Sequence, residues 1–372
     1  EHESSLKPLS SPEFIRYPEG CLWQTLISLS PFEGGIYFKT NHMKSKTYKA
    51  LVAEEKAGEF VQSVKKLNTT DLPENDVLIR VHYSSLNYKD ALSATGHKGV
   101  TKHYPFTPGI DAAGVVEESK DERFQAGDKV IVTSYDLGMN TPGGFGQYIS
   151  VPGDWIVPLT GGLTLKWSMM IGTSGLTAGI GVEKILGQQV KRKSGSVLVT
   201  GATGAVGSFG VALFSHLGYE VIAATGKVDQ TGFLKNLGAA KVIHRDNVTR
   251  IENKPMLSSK WVAALDTVGG EMLDAVLRQT SHNGVVACCG NVLGHELHTN
   301  IYPFILRGVS LMGIDSGITL MRDRIRIWKK LSKDWKPGNL EKFCREEPLE
   351  NLPGEIGRIQ NGEQVGKVLV HL

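Results

Sequence analysis

Cysteine and uncompensated charge are both scarce in this chain of 372 residues. The four cysteines, at positions 21, 288, 289 and 344, show no metal-binding spacing, and such sparing use favours a reducing compartment, which we expect to be the cytoplasm. The formal net charge is only +3, which gives no reason to expect a nucleic-acid partner. The length exceeds one ordinary domain, so about two domains are expected.

Charged residues are absent altogether from one stretch, residues 194–219, which contains no Asp, Glu, Lys or Arg. A membrane helix is the first alternative to weigh for such a stretch. Six glycines interrupt it, and its beginning has the pattern of a strand rather than a helix. We therefore expect no association with a membrane.

The same stretch carries the clearest motif of the chain. Residues 196–200 predict a buried strand, glycines follow at 201, 204 and 207, and apolar residues then recur at helical spacing. Strand, glycine turn and helix form the context of a dinucleotide-binding fingerprint. In such a turn the backbone comes close to a pyrophosphate, and the helix N-terminus favours its negative charge.

Strands and helices alternate after this motif, which predicts a parallel sheet with helices on both faces. Before it, short strands and turn signals over residues 46–165 predict a compact, barrel-like β domain, followed by a helix at 166–187. The strands predicted after the motif span 220–225, 241–244, 261–268, 284–290 and 309–314. The chain ends with an amphipathic helix and a strand.

The end of the second strand of the parallel sheet bears on the choice between NADPH and NADH. An acidic residue there would bind the ribose 2'-hydroxyl of NAD and repel a 2'-phosphate, but the sequence has Thr225, Gly226 and Lys227. A hydroxyl and an ammonium suit a phosphate, and Arg245 after the third strand adds a second cation. NADPH is therefore favoured, with a loop of small residues and a solvated lysine as the alternative.

Candidates for the chemistry lie in the β domain. No cysteine occurs between residues 48 and 165, so we expect no zinc site and no metal. Asn87 and Tyr88, at a strand end, are suited to orienting a carbonyl or stabilising an oxyanion, and a tyrosine can also donate a proton. Spacing alone favours the alternative, a buried Tyr88 and a turn-capping Asn87, with Lys89 and Asp90 in a solvated turn and helix start.

Two threonines just before the nucleotide motif, Thr173 and Thr177, are further candidates. They lie in the segment GTSGLTAG and are placed to line a cleft between the two domains. A purely structural role is the alternative.

A resemblance to a known family is carried by the segments SSLNYKDAL, PGIDAAG, VPGDWIVPL, VLVTGATGAVG, PFILRGVSLMGIDS and RIWKKLSKD. Together they resemble the medium-chain dehydrogenase/reductase superfamily, specifically its zinc-free acrylyl-CoA reductase group of the YhdH/YhfP type. The resemblance implies an α/β fold, with a GroES-like β-barrel domain (46–169 with 315–372) and a Rossmann domain (170–314) whose doubly wound parallel sheet has the order 3-2-1-4-5-6. It also implies a homodimer.

The resemblance implies roles for individual residues as well. Tyr88 would lie at the nicotinamide end of the cofactor, and Thr225–Lys227 with Arg245 would hold the 2'-phosphate. The pyrophosphate would lie on the glycine turn, and further positions would contact the cofactor. These positions are Thr203, Gly204, Ala205 and Val206 in the turn, and Asn291, Ile305 and Ser316 elsewhere.

The sequence departs from the family pattern at several positions. Lys227 stands where arginine is frequent, which replaces a bidentate contact by a point charge. Ala205 replaces a usual glycine, and the segment after Ser316, GITLMRDR, lacks the usual proline. Near the end, Glu363 and Lys367 fall where asparagine and arginine are common. These departures affect the expected substrate contacts and one distal cofactor contact.

The function implied is the NADPH-dependent, zinc-independent reduction of an activated C=C bond, with acryloyl-CoA to propionyl-CoA as the reaction and a small molecule as the partner. The alternatives are an NADPH:quinone or enone oxidoreductase and a non-enzymatic NADPH-binding protein. Residues 1–45 are expected to be an added or accessory extension, largely disordered, with Met43 as a natural start.

Overall fold

The computed structural model describes residues 45–372 except for 160, 251–253 and 339. The predicted extension, including the proposed start at Met43, lies outside the described residues apart from its last residue. Within the described part of the chain, no helix combines the length and the apolar character needed to cross a bilayer.

The strands form two larger sheets and one hairpin. In chain order they are β1 (Thr47–Lys56), β2 (Glu59–Asn68), β3 (Val77–Leu86), β4 (Asp111–Ser119), β5 (Lys129–Thr133), β6 (Tyr148–Val151), β7 (Ile156–Pro158), β8 (Val197–Val199), β9 (Val221–Thr225), β10 (Lys241–His244), β11 (Trp261–Asp266), β12 (Thr280–Cys288), β13 (Ser310–Gly313), β14 (Cys344–Pro348) and β15 (Lys367–His371).

The helices connect and cover these strands. They are α1 (Tyr88–Ala94), α2 (Leu165–Gly187), α3 (Ala205–His216), α4 (Thr231–Asn236), α5 (Asp246–Thr249), α6 (Gly270–Arg278), α7 (Tyr302–Arg307), α8 (Met321–Leu331) and α9 (Leu352–Gln360).

The parallel sheet has the strand order β10-β9-β8-β11-β12-β13. Its neighbouring strands are parallel in every pair. In order of sequence this is 3-2-1-4-5-6, which confirms the predicted doubly wound sheet. β8 is completely buried because helices cover both faces, and this explains its unbroken apolar sequence.

The second large sheet has the order β14-β15-β3-β4-β5-β7, with β6 also paired to β3. β15 runs antiparallel to β3, so the last strand of the chain lies beside one of the first. The predicted barrel-like β domain is therefore completed by strands from the C-terminal region. β1 and β2 form a separate antiparallel hairpin.

Two helices matter most for the site. α2 leads from the β domain into the parallel sheet and is interrupted at Gly172, whose φ is +51°. α8 buries Arg324, Ile327, Trp328 and Leu331 at helical spacing, which confirms the predicted amphipathic helix. Its buried face thus contains one charged residue among apolar ones.

Candidate active site

The glycine turn has the geometry of a phosphate cradle. It joins β8 to α3, and Gly204 is the N-cap of that helix. A Cβ at Gly207 would lie 2.3 Å from the carbonyl oxygen of Gly201, so the helix can approach the turn only with glycine at this position. The first-turn N–H groups of α3 have no partners within the helix and are available to an anion. These residues therefore fit a pyrophosphate.

The residues predicted to bind a 2'-phosphate are adjacent in the structure. The Thr225 and Thr203 hydroxyls lie 3.1 Å apart, and the Lys227 N–H donates to the Thr225 hydroxyl over 3.0 Å. The Arg245 N–H donates to the Thr225 carbonyl over 2.8 Å, and its side chain lies beside Gly226. The ends of β9 and β10 thus place two cations and the Thr225 hydroxyl beside the Thr203 hydroxyl of the glycine turn, which fits a phosphate.

A segment near the C-terminus, residues 361–366, reaches this region from α9. The Gly366 N–H donates to the Thr203 carbonyl over 2.9 Å, and the Lys227 ammonium donates to the Gln364 carbonyl over 2.5 Å. Burial lowers the pKa of Lys227. The nucleotide-side residues therefore contact the chain directly before β15.

A network of polar side chains is buried where β15 begins, and it is centred on Asp111. Its carboxylate accepts hydrogen bonds from the Ser85 hydroxyl at 2.5 Å and from the Asn87 amide at 2.8 Å. It also accepts the Thr173 hydroxyl at 2.6 Å and the Thr173 N–H at 3.0 Å. These donors come from β3, from the residue after it and from α2, so Asp111 ties these parts of the chain together.

Lys367 completes the network. Its ammonium lies 3.6 Å from the Asp111 carboxylate and donates to the Asn87 amide oxygen over 3.0 Å, and the side chains of Lys367 and Asp111 are fully buried. Burial lowers the pKa of Lys367, while the charge of Asp111 opposes that change. Asn87 is thus fixed from both ends of its amide, which orients it firmly.

The expectation of a solvated turn at Asp90 is wrong. Asp90 is fully buried and accepts hydrogen bonds from the N–H groups of Asn87 at 2.7 Å and of Ile110 at 2.8 Å. Burial and the nearby charge of Asp111 raise the pKa of Asp90 to about 7. The acid is buried because the segment before β4 folds back onto α1, a contact that local sequence does not reveal.

The interruption of α2 serves this network. A Cβ at Gly172 would lie 2.5 Å from an Asp111 carboxylate oxygen and 2.9 Å from the Lys367 ammonium, so any larger residue would disturb both. The second half of α2 begins at Thr173, and the Asp111 carboxylate caps its N-terminus. The break thus allows the helix end and the carboxylate to meet.

Thr173 and Thr177 do face other site residues. The Thr173 hydroxyl lies 2.9 Å from that of Ser134, and the Thr177 hydroxyl lies 2.7 Å from that of Ser316. The carbonyl of Ser316 is held in turn by the guanidinium of Arg324 at 2.9 Å. The structure therefore brings together Thr173, Thr177 and Ser316, all three of which the sequence predicted.

Arg324 is fully buried, and it donates to the carbonyl of Thr133 at 2.9 Å as well as to Ser316. Its guanidinium also lies over the Tyr135 ring, 4.4 Å from the centroid, and burial lowers its pKa. It joins β5 to the loop after β13. Arg324 therefore holds the backbone at Ser316 in place.

The structure also separates some predicted residues. Tyr88 follows Asn87 as the first residue of α1, but its side chain is 49% exposed rather than buried. Asn291 lies in the loop after β12, and Ile305 is 64% exposed on α7. Among the described contacts, no hydrogen bond or ion pair joins Tyr88, Asn291 or Ile305 to the other predicted residues.

The alternative reading from spacing is thus half right. Asn87 does occupy the N-cap position of α1, yet its side chain is bound by Lys367 and Asp111. Two residues of this region, Asp111 and Arg324, were not singled out in the sequence, and Lys367 was noted there only as a departure from the family pattern. Asp111 lies inside the segment PGIDAAG. Arg324 is a charged residue on the apolar face of α8, and this unusual position could have been noticed in the sequence.

The comparisons with known proteins agree with this architecture. Residues 73–161 match the alcohol dehydrogenase GroES-like domain, and residues 205–330 match the zinc-binding dehydrogenase family. YhfP of Bacillus subtilis, provisionally named a quinone oxidoreductase, is 44% identical over 329 residues, which are 88% of this chain and 100% of YhfP. The chain belongs to the medium-chain dehydrogenase/reductase family. The predicted family and its two-domain fold class are confirmed.

A second member of the family, the acrylyl-CoA reductase AcuI of Ruegeria pomeroyi, is 40% identical over 325 residues, covering 87% of this chain and 98% of AcuI. Both relatives are named as oxidoreductases, which confirms the expectation of an oxidoreductase.

Two solved structures of the family show the same fold. The yhdH oxidoreductase of Salmonella enterica in complex with NADP has a TM-score of 0.84 at 41% identity and covers 87% of this chain and 99% of its own. YhfP with NAD bound has a TM-score of 0.85 at 43% identity and covers 88% and 100%. The relatives thus include proteins crystallised with either cofactor.

One of the two matching families is named for zinc binding, so the donor set matters. Within the described ranges, no group of three or more His, Cys, Asp or Glu side chains is arranged to hold a metal ion. The acidic pair Asp90 and Asp111 is occupied by N–H groups, hydroxyls and Lys367 instead. A zinc-free reaction stays a prediction.

Proposed function

We propose that this protein uses NADPH to reduce an activated C=C bond, with acryloyl-CoA as substrate and propionyl-CoA as product. The observation that carries the proposal is the Thr225, Lys227 and Arg245 cluster beside the glycine turn, taken with 40% identity to an acrylyl-CoA reductase. The cluster supplies hydroxyls and cations where an NAD-specific site would place an acid. It therefore supports NADPH over NADH.

Each predicted site residue has a role in this proposal. Thr203, Gly204, Ala205 and Val206 bind the pyrophosphate through the turn and the N–H groups of α3. Thr225, Gly226, Lys227 and Arg245 bind the 2'-phosphate. Thr173, Thr177 and Ser316 face the cofactor from the α2 side, and Asn291 and Ile305 contact it from β12 and α7.

Tyr88 acts on the substrate, whereas Asn87, whose amide is already bound by Asp111 and Lys367, is corrected from a catalytic residue to a positioning residue at the start of α1. When bound, the reduced nicotinamide supplies a hydride to the β-carbon of the enoyl thioester. The hydride leaves negative charge on the thioester oxygen, and hydrogen-bond donors at the strand end stabilise it. Tyr88, exposed beside the fixed Asn87, donates to that oxygen or protonates the α-carbon. No step in this scheme uses a metal.

Reduction of a quinone or enone is the second candidate, and the 44% identity to YhfP favours it. Both reactions are measured by following NADPH absorbance with acryloyl-CoA, crotonyl-CoA and a small quinone side by side. The proposal predicts that acryloyl-CoA is consumed fastest. A quinone outpacing both thioesters would favour the alternative, and tight NADPH binding without any turnover would favour a non-enzymatic role.

A homodimer is part of the proposal and is supported by one edge of the parallel sheet. β13 pairs with β12 only, so its other edge is open in the described residues. Beside it, α7 and the preceding residue expose apolar side chains at Ile301, Ile305 and Leu306. An open edge next to exposed apolar surface is typical of a protein interface. Light scattering of the purified protein tests the dimer.

We further propose a cytoplasmic location and the domain boundaries 46–169 with 315–372 and 170–314. The location is supported by the free thiols of Cys288, Cys289 and Cys344. The boundaries are supported by β14 and β15, which join the sheet of β3 rather than the parallel sheet.

A further inference from the structure

The segment 361–366 contains an acidic residue, Glu363, directly before the residue that contacts Lys227, the proposed ligand of the 2'-phosphate. The Gln364 carbonyl accepts a hydrogen bond from the Lys227 ammonium at 2.5 Å, and Gln364 directly follows Glu363, whose side chain is exposed. The glycine turn is contacted as well, since the Gly366 N–H donates to Thr203. The segment therefore borders the place where a 2'-phosphate would lie.

The segment is held in position by several contacts. The Glu363 N–H donates to the Arg358 carbonyl at the end of α9 over 2.8 Å, and the next residue of the chain after Gly366 is the buried Lys367. The Gln364 side chain lies 3.4 Å from the Arg345 guanidinium. These contacts fix the backbone on both sides of Glu363, next to the Gln364 carbonyl that binds Lys227.

The charges around Lys227 oppose one another. Burial lowers the pKa of Lys227, the carboxylates of Asp229 and Glu363 act to raise it, and the charge of Arg358 lowers it. A carboxylate that attracts the Lys227 ammonium also repels a 2'-phosphate bound to that ammonium. Asp229 lies only two positions after Lys227 in the chain, whereas Glu363 is distant in the sequence and is brought to this region by the fold.

We propose that Glu363 is a specificity-determining residue that weakens the preference of this protein for NADPH over NADH. The carboxylate repels the 2'-phosphate, which NADH lacks, and it partly neutralises Lys227. The relatives crystallised with NADP and with NAD show that this family accommodates both nucleotides. The inference rests on the placement of the 2'-phosphate in the proposed function.

The test is a titration of the full chain with NADPH and with NADH, followed by nucleotide fluorescence, which needs no turnover. Glu363→Gln should bind NADPH about three- to fivefold more tightly at low salt and leave NADH affinity unchanged, because only NADPH carries the phosphate that the exposed carboxylate would repel. Glu363→Lys should extend the same trend. High salt should reduce the gain, since exposed charges are screened.

Glu122→Gln is the matched control, since it removes the same charge from an exposed glutamate in the loop between β4 and β5. An equal change for both nucleotides, or no change for NADPH, would overturn the role of Glu363. If NADPH binding depends on Lys227 but not on Glu363, only this inference fails. If NADPH does not bind at all, the proposed function fails with it.

Discussion

Lys367 and Lys227 are the same side chain in opposite surroundings. The Lys367 ammonium is fully buried and held by Asp111 and Asn87, whereas the Lys227 ammonium is half-buried and donates to one backbone carbonyl. Lys367 has a fixed carboxylate partner inside the protein, and Lys227 has none among the described ion pairs. A buried, paired charge cannot reach a ligand, whereas a partly exposed charge beside a phosphate cradle can bind one.

The two regions meet along one short piece of chain. Gly366 contacts the glycine turn, and Lys367 immediately after it enters the buried network. The start of β15 therefore contacts both the residues of the glycine turn and the buried residues around Asn87. Substitutions at Lys367 and at Lys227 therefore have different expected effects.

The largest expected effect is on stability at Lys367. Lys367→Met leaves the Asp111 carboxylate buried without its cation, and removing one partner of a buried pair typically costs about 3–5 kcal/mol. Denaturant unfolding measures this loss. Lys329→Met on the exposed face of α8 is the control and should change the free energy of unfolding by less than about 0.5 kcal/mol. Equal losses in both variants would show that Lys367 is not a special position.

The next effect is on catalysis at Tyr88. If its hydroxyl stabilises the developing oxyanion, Tyr88→Phe should lower kcat by about 10²–10³-fold without changing the unfolding free energy, because the side chain is half exposed. Tyr302→Phe, another exposed tyrosine, should leave kcat unchanged. Steady-state rates with acryloyl-CoA measure kcat for the parent and both variants. A Tyr88→Phe rate within about threefold of the parent would remove Tyr88 from the mechanism.

A smaller effect follows from Asp90. Its pKa in the folded protein is about 7, whereas an unfolded aspartate titrates near about 4. The folded state therefore holds an extra proton between these values, so the stability that Asp90 contributes is present below about pH 4 and is lost as the pH rises through about 7. Denaturant unfolding should show a falling contribution of at most about 1.4 kcal/mol per pH unit.

Asp90→Asn carries no titrating proton and is the matched variant for this experiment. Its unfolding free energy should fall less steeply over the same pH range than that of the parent. Identical slopes for the two proteins would contradict the raised pKa of Asp90.

The sequence could predict what depends on neighbouring positions. The glycine turn and the parallel strands follow from local spacing, and Thr225–Lys227 from their place after a strand. The buried network depends on distant pairs: Lys367 and Asn87 are 280 positions apart, and their contact exists only because β15 pairs with β3. Asp90 looked solvated because the segment that buries it returns twenty positions later at Ile110.

The most direct test of the account concerns Lys227 itself. Titration of the parent and of Lys227→Glu with NADPH and NADH measures whether this lysine reads the 2'-phosphate. We expect NADPH affinity to fall about tenfold or more, which corresponds to about 1.4 kcal/mol, while NADH affinity changes little. An equal loss for both nucleotides would contradict the placement of the 2'-phosphate and the contrast between the two lysines.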